Sequence, residues 1–301
     1  MNFARTGMAL ACAVALQCRP ALGQELDTLK KINATNTITI GHRDVSLPFS
    51  YLDDKGQPIG YSIDLCLRIV DALRISQKLP KLEIAYRPIS AATRIPLIAN
   101  GTIDIECGAT TNTAERQQQV AFAVTTFVAA TRLVWKKNAG FKSLEDLKGK
   151  RVVAVAGTTN LRQLTEINAQ RGLRLTLIPA KHHNDAFAMV EKGQADAFVS
   201  DDILLYGMIA NAAAPADYAV SGDALSVEPY GIMLRKDDMG FKQEVDIALR
   251  ALFTSGEIQK IYAKWFLGPI PPKNITMNAA MSDVLKKVIA TPTDSAKPGD
   301  Y

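Results

Sequence analysis

Short apolar runs that read as strands alternate with amphipathic helical stretches, and the alternation runs through twice. The first cycle comprises a strand over Thr37 to Gly41, a helix over Ile63 to Leu73, a strand over Leu82 to Tyr86, a helix over Thr93 to Ala99 and a strand over Ile103 to Glu106. After the break Lys136-Lys137-Asn138-Ala139-Gly140 it starts again: Arg151 to Ala156, a helix over Leu161 to Gln170, Arg174 to Pro179, a helix over Asn184 to Lys192, and Ala195 to Val199. Strands separated by helices lie parallel in one sheet, so each cycle predicts an α/β half. No close sequence repeat accompanies the alternation, so the likeness of the halves is architectural. The stretches 128–135 and 226–232 join them and predict two crossings of a hinge. The expected division is a discontinuous first lobe, 24–130 plus 230–301, and a second lobe, 135–227. Phe241 to Trp265 is helical in pattern and is expected to pack on the first lobe, while the polar Thr291 to Tyr301 is expected to fray.

With 301 residues the chain is long enough for two separate cores. Residues 1–23 have the form of a secretory signal peptide: Arg5, an apolar run from Met8 to Leu16, then the small-x-small site Ala21-Leu22-Gly23. Export and a mature start at Gln24 follow as expectations. No later segment approaches the roughly 20 apolar residues of a spanning helix, so direct membrane insertion is not expected and a membrane role needs a partner. The net charge of +5 includes two leader arginines, and what remains is too small to imply a nucleic-acid partner. Past the leader only Cys66 and Cys107 remain, as a disulfide in an oxidising compartment or as two buried thiols; spacing does not decide. No nucleophile elbow, His-Glu-x-x-His helix or phosphate loop is present, and no cofactor or metal is expected.

The chemistry concentrates at strand ends. Cys107-Gly108-Ala109-Thr110-Thr111-Asn112-Thr113-Ala114-Glu115-Arg116 follows the strand ending near Glu106, at the carboxyl side where open α/β sheets bind ligands. Its Thr/Asn cluster offers caps for a helix carrying Glu115 and Arg116, whose unpaired N–H groups and dipole favour an anion, and Arg116 adds a planar two-pronged contact. Gly157-Thr158-Thr159-Asn160 repeats the device in the second half. Either junction alone reads equally as an ordinary capped helix; two of them facing one cleft point to a carboxylate. Asp201 and Asp202 follow the strand ending at Val199; one of them facing the cleft is suited to an ammonium and the other to capping the next helix, or both cap it. Arg43, Arg94 and His183 are further cationic candidates, each alone also readable as a surface ion pair.

Several long strings carry a resemblance. Gly41-His42-Arg43 with Pro48-Phe49-Ser50-Tyr51, Arg94-Ile95-Pro96-Leu97, Glu106-Cys107-Gly108 with Thr110-Thr111-Asn112, Glu115-Arg116-Gln117, Gly157-Thr158-Thr159, Leu234-Arg235-Lys236-Asp237-Asp238 and Pro269-Ile270-Pro271-Pro272-Lys273-Asn274 resemble the periplasmic glutamate/aspartate-binding proteins of ABC importers over nearly the whole mature chain. The resemblance implies a type II periplasmic-binding-protein fold, two α/β lobes joined by a two-stranded hinge, acting as a periplasmic monomer with no enzymatic activity. The lobes would close on an acidic amino acid, glutamate or aspartate, and present it to a membrane permease. It implies that Arg116, Thr111 and Thr159 hold the α-carboxylate, that Thr111 and Asp201 take the ammonium, and that Arg43, Arg94 and His183 hold the side-chain carboxylate. Ala91 and Ala109 stand where the family commonly has serine, which leaves the choice between glutamate and aspartate open. The backbone of Ala109 can still accept from an ammonium, and Ser90 offers a hydroxyl nearby. Two other readings fit the same residues: an exported prephenate- or arogenate-dehydratase-like enzyme with Glu106, His183 or Asp201 as general acid, and a sensor component that signals its closed state to a receptor.

Overall fold

The computed structural model describes residues 27–301, so the expected signal peptide, 1–23, lies outside the described residues. Two sheets organise the chain. The first runs in the order Glu83–Pro88, Thr37–His42, Ile105–Cys107, Met233–Arg235, Val120–Phe122. Its first three strands are parallel and the other two pairings antiparallel. The second repeats the plan with Thr176–Ala180, Arg151–Val155 and Ala197–Asp201 parallel, then the long strand Phe127–Lys136 antiparallel to Ala197–Asp201 and to Tyr218–Val220. Each sheet is therefore mixed rather than purely parallel. The reason is connectivity: the chain re-enters the first sheet from the second lobe, and Met233–Arg235 arrives running the opposite way.

Alternation explains why each strand of the second sheet is apolar on both sides. Val153, Val155, Val134 and Phe198 face a core closed by Ala186, Phe187 and Val190, whereas Val152, Ala154, Leu133, Trp135, Ala197 and Val199 face one closed by Leu144, Leu147 and Leu164. Successive side chains point to opposite faces, and both faces are covered.

The segments expected as crossings lie side by side, with Phe127 opposite Tyr230 and Thr131 opposite Ser226. Phe127 and Tyr230 belong to an aromatic cluster with Phe49, Tyr61, Tyr262 and Phe266, whose ring centroids lie 4.4 to 6.4 Å apart. The hinge is thus rooted in the first lobe's core. The long helical stretch near the carboxyl terminus divides into Met239–Thr254, Glu257–Tyr262 and a π turn, Ala263–Leu267, and it packs on that lobe. Cys66 and Cys107 are joined in a disulfide that ties the helix Tyr61–Ser76 to the strand Ile105–Cys107.

The tail is docked rather than frayed. The Asn112 amide donates to the Asp294 carbonyl at 2.8 Å, the Thr125 N–H to the Thr293 carbonyl at 2.8 Å, and the Thr125 and Tyr301 hydroxyls meet at 2.7 Å. Polarity suggested fraying; hydrogen-bond partners at Asn112 and Thr125 in the first lobe override it.

Candidate ligand-binding site

Apart from Arg116, on the short helix Ala114–Gln117, the candidate residues follow the carboxyl ends of parallel strands. Arg43 follows Thr37–His42, Ala109 and Thr111 follow Ile105–Cys107, and Arg94 opens the helix after Glu83–Pro88. In the second lobe Thr159 follows Arg151–Val155, His183 follows Thr176–Ala180, and Asp201 ends Ala197–Asp201. Strand polarity turns these ends toward one cleft, and contacts across it are direct. Arg116 Nη1 donates to the Thr111 carbonyl at 2.8 Å, while its Nη2 reaches the Gly157 carbonyl in the opposite lobe at 3.3 Å. Ala91 packs into a second-lobe core, Ile203 and Leu204 pack into the first-lobe core, and Arg162 meets Glu115 at 3.6 Å. The lobes are closed.

The first-lobe side of the cleft is cationic and buried. Arg43 is 1 % exposed and Arg94 2 %, which removes both charges from the water that would otherwise solvate them. Arg94 Nη1 donates to the Ala109 carbonyl at 3.1 Å and to the Thr110 hydroxyl. Yet Arg43 Nη2, Arg94 Nε and His183 Nδ1 are buried with no hydrogen-bond partner within the protein. Both carboxylate oxygens of Glu106 are unpartnered there too, so one buried acid faces Arg43 and Arg94, and the surplus of cationic and donor groups suits an anion. Burial, then the charge of Arg94, push Arg43 down to about 10 and Arg116 down to about 9. An anion among them would relieve both causes.

His183 departs from the sequence expectation. Burial, followed by the charges of Arg43 and Arg94, pushes it down to about 3, so at neutral pH it is an uncharged imidazole rather than a third cation. Its contribution to an anion is a hydrogen bond, not a charge.

Asp201 meets a network that linear reading does not reveal. Asn160 donates to one of its oxygens at 2.7 Å and the Tyr230 hydroxyl to the other. Burial and the nearby Glu228 raise its carboxyl to about 7, against the pull of those two donors. Glu228, on the strand Ser226–Tyr230, is fully buried and accepts from the hydroxyl of Thr159 at 2.8 Å, from Gln163 at 2.8 Å and from Thr131 at 3.2 Å. The hydroxyl proton of Thr159 is therefore spent on Glu228, leaving its backbone N–H, at the first turn of the helix Thr159–Arg171, as the group without an intrahelical partner. Asp202 accepts from the N–H groups of Ile203 and Ala130, which frees Asp201 from capping.

Two corrections concern the Cys107 to Arg116 run. The helix carrying Glu115 and Arg116 is a single turn, Ala114–Gln117, capped by Thr113, too short to lend a useful dipole. What that turn can offer an anion is the Arg116 side chain. Ser90 does not stand in for a serine at Ala91, because its hydroxyl is paired with that of Thr93 at 3.0 Å and accepts from the Thr93 N–H.

Glu228, Asn160, Tyr230 and Glu106 complete the site but were not among the candidates; Glu106 figured only as an acid for the enzyme reading. Glu106 is fully buried behind the arginines, raised by burial and drawn back by Arg94, Thr110 and Arg43. Its signal in the sequence was an acid inside an otherwise apolar strand. Glu228 had the same signal within the second crossing, where a buried acid demands partners.

Comparison with known proteins agrees with this geometry. Residues 38–268 match the family model of bacterial extracellular solute-binding proteins, family 3. The chain is 50% identical over 298 residues to the L-glutamate/L-aspartate-binding protein of Pseudomonas aeruginosa, covering 98% of this chain and 99% of that one. It is 44% identical over 277 residues to the glutamate/aspartate import solute-binding protein of Escherichia coli, covering 92% and 91%. Among solved structures, an ancestral arginine-binding protein bound to glutamine matches with a TM-score of 0.69 at 31% identity, covering 77% of this chain and 98% of that one.

Proposed function

The chain belongs to family 3 of the bacterial extracellular solute-binding proteins, and from that premise we propose that it captures an acidic amino acid, glutamate or aspartate, between its lobes and delivers it to an ABC permease. It is a binding component and not an enzyme, as its relatives are. We place its work in the periplasm, as a monomer with lobes 24–130 plus 230–301 and 135–227. One observation carries the choice of ligand: buried, unpartnered guanidinium and imidazole nitrogens of Arg43, Arg94 and His183 converge on the same cleft as a buried Asp201. A cluster of arginines separate from the acid Asp201 describes an amino acid with a second carboxylate.

In this reading Arg116, the Thr111 segment and the N–H of Thr159 hold the α-carboxylate, while Asp201 and Thr111 take the ammonium. Arg43 and Arg94 hold the side-chain carboxylate by charge and His183 by hydrogen bond. The arginine-rich lobe and the lobe carrying Asp201 each hold only part of such a ligand, so binding favours closure. A thermal-shift screen of the mature protein against the amino acids tests it, since a ligand that binds only the folded chain raises its stability. Glutamate, aspartate or both raise the melting temperature while glutamine and arginine do so much less; a shift with neither acid overturns the proposal.

A further inference from the structure

Gly207 lies in the helix Asp202–Asn211, which leaves the cleft directly after Asp201. Glycine is the least favourable helix-interior residue after proline, so a glycine there calls for a reason outside the helix. Its backbone supplies none, because it is absent from the positive-φ glycines. The reason lies across the cleft. A Cβ on Gly207 would stand 2.8 Å from Leu47 Cδ2, 3.1 Å from the Leu47 carbonyl oxygen and 3.5 Å from Met277 Sδ, all atoms of the first lobe. Gly157 makes a similar approach at the other end, where a Cβ would stand 2.9 Å from Ala92 Cα and 3.0 Å from Ala92 N. Gly157, however, has a φ of +79°, so its turn already requires glycine, whereas Gly207 has only the contact to account for it.

We propose that Gly207 determines how far the second lobe closes, and through that sets the affinity of the site, without touching the ligand. The helix it belongs to follows Asp201, so a methyl group that holds Gly207 off Leu47 also holds Asp201 and the neighbouring His183 off the arginines of the first lobe. Gly207 is a positioning residue for closure. The inference rests on the proposed two-lobed capture of an acidic amino acid.

Gly207→Ala tests it, because the substitution acts in opposite directions on the lobe and on closure. Alanine favours the helix and restricts the unfolded chain, so the melting temperature of the unliganded variant stays level or rises. Overpacking a tight contact by one methyl group weakens binding of glutamate or aspartate by about tenfold in calorimetry. Adding Leu47→Ala to Gly207→Ala removes the nearest clashing atoms and restores affinity to within about threefold of the Leu47→Ala single variant. Unchanged affinity in Gly207→Ala overturns the inference, and so does a loss of affinity matched by a lower unliganded melting temperature. Absence of any shift with either acid in the wild-type protein overturns the proposed function and the closure role together, whereas a wild-type shift that Gly207→Ala leaves intact overturns the closure role alone.

Discussion

The first lobe meets the cleft with charge, and the second meets it with acids and uncharged donors. Arg43, Arg94 and Arg116 approach from one side; Asp201 with Glu228 behind it, neutral His183 and the start of the helix at Thr159 approach from the other. Burial first, and then the like charge of Arg94, lower the pKa values of Arg43 and Arg116, while burial and then the nearby Glu228 raise that of Asp201. The proposed ligand, with two carboxylates and one ammonium, would offer a partner to each side. A ligand that touched only one lobe would not shift the equilibrium between open and closed states.

The largest test of this contrast removes Arg116, whose guanidinium donates to the Gly157 carbonyl across the cleft. Arg116→Ala is expected to cost about 4 kcal/mol, roughly a thousandfold in Kd, for every amino acid the protein binds, because a buried charged contact is lost and its partners are stranded. Calorimetry decides it, and a variant that still prefers one amino acid at near-normal affinity refutes the α-carboxylate role. Arg94→Ala comes next, with about a hundredfold loss for glutamate and far less for glutamine. Equal losses for the two would move Arg94 out of side-chain recognition. The unliganded melting temperature belongs beside both measurements, since Arg94 also holds Thr110 and the Ala109 carbonyl.

On the second lobe the expected effects are smaller and depend on pH. With the Asp201 carboxyl raised to about 7, the unliganded closed protein holds a proton there that an incoming ammonium must displace. Affinity is therefore expected to rise as pH increases from 5 through 7 and to level off above it, with proton release visible as buffer-dependent binding enthalpy. The stability of the unliganded closed form should move the other way. Its folded pKa lies above the unfolded value, so the folded state binds the extra proton between about pH 4 and 7, and this contribution is present below that window and lost as pH rises through it. Asp201→Asn should flatten both profiles and weaken binding about tenfold at pH 8. A pH dependence that survives the substitution assigns it to another group. Thr159→Ala is the mildest, about 1 kcal/mol, because the hydroxyl serves Glu228 and the proposed contact to the ligand is made by the backbone N–H. A hundredfold loss would mean that the hydroxyl itself binds the ligand.

Much of this was legible in the sequence. The doubled alternation of strands and helices specified two α/β halves, since hydrophobic period and turn residues are local properties and both survive into the folded chain. The same logic set Arg43, Thr111, Thr159 and Asp201 at carboxyl ends of strands, where parallel sheets collect their ligands, and the residue types there named carboxylate and ammonium chemistry. What sequence spacing does not hold is proximity between distant segments and the desolvation that proximity brings. The pairing of Cys66 with Cys107, the anchoring of the polar tail on Asn112 and Thr125, and the meeting of Thr159 with Glu228 each join segments tens to hundreds of residues apart. Tertiary burial makes His183 neutral and raises Asp201, and tertiary packing brings Gly207 against Leu47. The sequence by itself determined the architecture and the types of group that line the cleft. Their charge states and the depth of closure were decided by the tertiary structure, because both depend on which buried neighbours each group meets across the lobes.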